Sequence, residues 1–150
     1  MKILRTTLMP VVLTLGVFSL SSAARAGGPP IVGLWEDHYT SDFGAPAFNT
    51  YQQFHTDGVE IETPDFTPGV CMGTWKQIGD RTIRIFHVGF IPGGGPGGSV
   101  RFELREEDTV STDRNSFDGW YDQKFFNASG SLVLEDKGKI HATRLSVDQF

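Results

Sequence analysis

Cysteine is almost absent from this chain. Cys71 stands alone among 150 residues, so the chain can close no disulfide within itself and cannot build a cysteine-rich metal site. Basic residues are also few: 13 Lys and Arg stand against 18 Asp and Glu, giving a formal charge of -5. No basic cluster supplies the cationic surface that phosphate neutralisation needs, which argues against a nucleic-acid partner. Catalytic and metal motifs are missing too. None of the four histidines has H-x-H or H-E-x-x-H spacing, and there is no G-x-S-x-G and no strong paired-carboxylate signature. The glycine-rich stretch from Ile91 to Ser99 lacks the Lys and the following helix of a phosphate-binding P-loop. Motif spacing therefore predicts no metal and no cofactor.

What is present begins with an address. Lys2 and Arg5 precede an apolar run from Leu8 to Leu20, which ends in Ala24-Arg25-Ala26, the small-x-small form that signal peptidase reads. That run is about 13 residues, short of the roughly 20 needed to span a bilayer as a helix. The expectation is a signal peptide over 1–26, cleaved after Ala26, and a single exported domain over 27–150. Its destination is the periplasm or the extracellular space, with no membrane span left after cleavage.

From Ile31 onward no 3.6-residue apolar period is sustained. Short alternating runs recur instead, separated by Gly, Pro, Asp and Asn. Val100, Phe102 and Leu104 alternate with Arg101, Glu103 and Arg105, one dry face against one wet face. Val59 and Ile61 against Glu60 and Glu62 read the same way. Further strands are predicted over Gly33 to Tyr39, Phe48 to His55, Cys71 to Lys76, Thr82 to Phe90, Phe117 to Phe125, Ser131 to Glu135 and Lys139 to Leu145. Turn signals between them include Thr56-Asp57-Gly58, Gly79-Asp80, Asn127-Ala128-Ser129-Gly130 and Asp136-Lys137-Gly138. So many short strands would leave exposed edges in an open sheet, and closure removes them. The predicted fold is all-β, an up-and-down antiparallel meander closed into an eight- or nine-stranded barrel. The stretch from Ile91 to Ser99 has little side-chain area to pack and reads as a mobile loop at a barrel end.

Gly33-Leu34-Trp35 in the first strand and Arg144 in the last resemble the lipocalin family and the wider calycin pattern. That resemblance implies a Trp lying across the closed barrel end with the Arg side chain packed on it. Parity agrees, since Arg144 shares a strand face with Ile140 and Ala142. The mature chain is also similar to small secreted bacterial proteins with an F-H-x-D-G and G-x-W-x-x-x-G core, here Phe54 to Gly58 and Gly73 to Gly79.

Counting parity from Trp35 puts Asp37 and Tyr39 inward. On the same logic Cys71, Gly73 and Trp75 face in, as do Ile83, Ile85 and His87, and then Phe117, Tyr121 and Gln123. In the second strand Phe48, Thr50, Gln52 and Phe54 are the favoured inward set, with Tyr51 supporting the opposite parity. His38, His55 and His141 fall outward, and Cys71 reads as a small buried hydrophobe. Asp37, Tyr39, Trp75, His87 and Tyr121 are expected to converge as ligand-binding residues, with the loop from Pro92 to Gly98 at the mouth. An aromatic lining with a few polar groups suits a small hydrophobic or amphipathic ligand. Two other readings stay open. One is an isomerase, cyclase or dehydratase in which His87 with Asp37 or a Tyr moves a proton. The other is an interaction module whose barrel is plugged by its own 12 Phe.

Overall fold

In a computed structural model, which describes residues 29–66 and 68–149, the alternation resolves into eight strands. These are β1 (Gly33–Ser41), β2 (Phe48–Phe54), β3 (Val59–Pro64), β4 (Cys71–Gln77), β5 (Thr82–Phe90), β6 (Arg101–Val110), β7 (Ser116–Phe126) and β8 (Leu132–Leu145). Each pairs antiparallel with the next, and β8 returns to pair with β1, so the up-and-down meander closes without an edge. The leader expected over 1–26 lies outside the described residues. Among the described residues no helix is long and apolar enough to cross a membrane.

Two local readings change. The runs expected as separate eighth and ninth strands are one strand, β8, and Asp136-Lys137-Gly138 lies inside it and is no hairpin. Gly138 pairs with Ser41 on one side and Tyr121 on the other, and a side chain there would overlap the Thr40 carbonyl and the Tyr121 ring. Close backbone approach, rather than a turn, explains that glycine. The second change is in β3, where Glu60 and Glu62 are buried while Val59 and Ile61 are only partly so. Register decides this. Gln52 and Phe54 face in, and they pair with Glu62 and Glu60, so the acids share their face.

The closed end is a ring of apolar side chains under a latch. Trp35 has no solvent exposure and stacks edge-on against Phe117 at 4.9 Å, with the Arg144 guanidinium 4.1 Å from its ring centre. Trp35 Nε1 donates to the Ile31 carbonyl at 2.7 Å. Arg144 donates to the carbonyls of Pro30, Val32 and Arg114, tying the chain before β1 to the β6–β7 hairpin. At the opposite end lie the β1–β2, β3–β4, β5–β6 and β7–β8 connections. The glycine-rich connection holds a 3-10 turn at Pro96–Gly98 and turns Ile91 and Ser99 into the protein.

Candidate functional site

Along the lumen, two aromatic zones enclose a polar one. At the closed end the rings run in a chain from Trp35 to Phe117, then Phe54 and Trp75. Towards the mouth, Tyr39 stacks on Phe48 at 4.5 Å, Phe48 meets Phe66 at 4.9 Å, and Phe66, Phe102 and Phe125 continue the chain of rings. Between them Asp37, Glu60, Glu62, Glu106 and Asp108 are buried with Thr50, Gln52 and His87. Five carboxyl groups share this zone with one imidazole, and among the described residues no Lys or Arg is buried beside them.

Each member is placed by strand parity, and two glycines make the room. Gly73 sits between Glu60 and His87 in the β3–β4–β5 register, and a side chain there would overlap both. Gly119, opposite Asp108, does the same for that carboxylate. His87 Nδ1 lies 3.3 Å from Glu60 Oε2, and its Nε2 lies 3.2 Å from Glu62 Oε2. The second contact is short but not aligned as a hydrogen bond, and Nε2 has no hydrogen-bond partner. Asp37, considered above as the partner of His87, instead accepts from Thr50 Oγ1 at 3.1 Å. Glu60 and Glu62 hold the positions beside the imidazole.

Tyr39 fixes the protonation of the chamber. Its hydroxyl is 2.9 Å from Glu62 Oε1 and 2.7 Å from Glu106 Oε1, yet a phenol has one proton to donate. One of the two carboxyls must therefore be protonated and donate to the phenol oxygen. Burial and the neighbouring Glu62 push Glu106 up to about 8, with His87 opposing. Burial likewise raises Glu62, and raises Asp37 and Asp108 well above the usual carboxylate range. For His87 burial favours the neutral ring, but Glu62, Glu60 and Glu106 outweigh it and lift the imidazole to about 10. The Cys71 thiol is pushed up by burial and then by the nearby acids, which keeps it protonated and unreactive.

The mouth carries a cavity of about 600 Å³. Its walls include Phe43, Phe48, Phe66, Phe125 and Leu134, with Gln123, Asp65 and Asp136 as polar members and Pro96 from the glycine-rich connection.

All five residues expected to bind ligand face the lumen, but at different heights. Asp37, Tyr39 and His87 belong to the polar chamber. Trp75 is near the closed end, with Nε1 donating to the His55 carbonyl at 3.0 Å. Tyr121 donates to Asp136 Oδ2 at 2.8 Å, near the mouth. His38 and His141 are exposed, beside Asn49 and Asp118. Sequence reading missed Glu60, Glu62, Glu106 and Asp108. For the last two a signal existed: unbroken alternation from Phe102 through Leu104 places Glu106, Asp108 and Val110 on the same face. For Glu60 and Glu62 the signal pointed the wrong way, since hydrophobicity favoured their neighbours.

No protein-family model matches the chain, and neither curated proteins nor solved structures contain a match to it.

Proposed function

We propose that this protein is an exported, lipocalin-like binding protein that holds one small apolar or amphipathic molecule in the mouth of its barrel. The mouth cavity carries this reading: about 600 Å³, walled mainly by Phe and Leu side chains with a polar minority. Such a volume and lining suit a small organic ligand. The Trp35–Arg144 latch supports the lipocalin-like reading, and the leader read over 1–26 supports export. Asp65 and Asp136 on the walls disfavour an anionic headgroup, so the ligand's polar end is neutral or cationic.

The test uses N-phenyl-1-naphthylamine, an uncharged apolar fluorophore. Saturable uptake by the wild-type protein is expected. Phe66→Ala and Phe125→Ala should each weaken it by about tenfold, the effect of losing a buried ring contact. His87→Ala, with folding checked by circular dichroism, should retain uptake, because His87 is not on the cavity wall. Uptake indifferent to both Phe changes would refute the mouth as the site. Uptake lost only in His87→Ala would move the site into the chamber and favour the acid-base enzyme.

A further inference from the structure

We propose that Glu60, Glu62 and His87 bind one divalent first-row transition-metal ion, of the Zn²⁺ class, in the centre of the barrel. One ligand atom from each of the three lies within 4.8 Å of the other two. Tetrahedral ligands at about 2.0 to 2.2 Å from an ion stand about 3.3 to 3.6 Å apart, so the three side chains share an ion once they close in by about 1 Å. All three side chains are essentially without solvent exposure, and they come from β3 and β5 on either side of Gly73. A methyl group at Gly73 would collide with His87 and Glu60, so the backbone there is shaped to bring the two together.

The unsatisfied atoms point the same way. Glu60 Oε2 lies against His87 Nδ1 and orients the ring so that Nε2 points at Glu62, where a bound ion takes the place of the Nε2 proton. Nε2 and Glu60 Oε1 are both buried without a hydrogen-bond partner. Gln52, opposite Glu62 in the β2–β3 register and fully buried, has neither amide atom partnered. Buried polar groups are nearly always satisfied, so unpartnered atoms on Glu60, His87 and the register neighbour Gln52 call for a partner. The charge has the matching sign: Glu60 and Glu62 flank the imidazole, and among the described residues no Lys or Arg is buried beside them to play the part a dication would. Two carboxylates and one imidazole, with no thiolate, select Zn²⁺ or its borderline neighbours over soft Cu⁺. The ion lies below the mouth cavity, so this inference stands apart from the apolar ligand proposed there.

Chelator-stripped full-length protein is titrated with Zn²⁺ by calorimetry. Uptake near one equivalent is expected, weakened at least tenfold in Glu62→Gln and in His87→Ala. A His38→Ala, His141→Ala double variant should bind as wild type does. No stoichiometric uptake by the wild type, or uptake abolished by the double surface change, overturns the proposal. If the chamber variants fail to fold, zinc K-edge absorption of the wild-type complex decides. A single imidazole with oxygen ligands at about 2.0 to 2.2 Å supports the site, and two or more imidazoles or a sulfur ligand refutes it.

Discussion

Removing the Trp35 ring tests whether the closed end is what holds this barrel together. Trp35→Ala deletes a side chain with no solvent exposure, opens a hole against Phe117 and leaves the Arg144 guanidinium without the ring 4.1 Å away. Truncation of a large core aromatic costs about 3 to 5 kcal/mol. The lost cation-π contact contributes about 0.5 to 2 kcal/mol, so the vacated volume dominates. Trp35→Phe separates the terms. It keeps a ring beneath Arg144 but strands the Ile31 carbonyl that Nε1 meets at 2.7 Å, a loss of about 1 to 3 kcal/mol. Urea unfolding followed by far-ultraviolet circular dichroism avoids the change in tryptophan fluorescence. With an m value of about 1.5 kcal/mol/M, the midpoint should fall by about 2 to 3 M for Ala and by about 0.7 to 2 M for Phe. A Trp35→Ala protein with an unchanged midpoint and m value would refute the latch. Equal losses for the two variants would show that the indole N–H, and not the ring volume, holds the end closed.

The chamber makes stability depend on pH. Glu106 rises from 4.5 to about 8 on folding, so the native state holds its proton more tightly and the contribution, full below 4.5, is lost as pH rises towards 8. With chelator present, the urea midpoint should fall between pH 5 and pH 8 and fall less in Glu106→Gln; a midpoint that rises across that window would contradict the assignment. Gly119→Ala places a methyl group against the Asp108 carboxylate and should destabilise by about 1 to 3 kcal/mol, whereas Gly130→Ala, in an open turn at φ 83°, should lose less because only the backbone is strained. Urea midpoints for the two glycine variants provide the check, and equal losses would argue against close packing around Asp108.

Much of the fold was legible because period-two alternation survives wherever strands are long. Trp35, Asp37 and Tyr39 face in together, as do Ile83, Ile85 and His87, and each set follows from one anchored residue. The Trp35–Arg144 contact was legible from two residues more than a hundred positions apart, through parity and resemblance together. What failed has a common cause. Glu60 and Glu62 were assigned outward by their chemistry, but a strand between two paired neighbours takes its facing from register and not from its own polarity. Gly138 was read as a turn because glycine serves both turns and close backbone contacts, and local sequence does not distinguish them. The grouping of Glu60, Glu62 and His87 joins β3 to β5 across the intervening β4, so no spacing motif could announce it.

That inverted sector also bears on why the chamber exists. Outside the barrel, Ile61, Met72 and Val88 stand side by side across β3, β4 and β5, with Met72 60% and Val88 39% exposed. Inside the same sector are Glu60, Glu62 and His87, all buried. Hydrophobic burial alone would favour the opposite arrangement, and moving β3 by one residue would turn Val59 and Ile61 into the core and release both acids to water. Flanking register prevents that shift: Phe54 and Gln52 fix β3 from one side, and Gly73 accommodates Glu60 only when it points inward. Replacing buried ionic groups with apolar ones of similar volume is often neutral or stabilising, so these acids are not explained by the stability of the fold. Their retention in a sector where aliphatic residues lie one position away is the expected mark of an interior kept for its chemistry, where local rules are broken at a site and compensated by the surrounding scaffold.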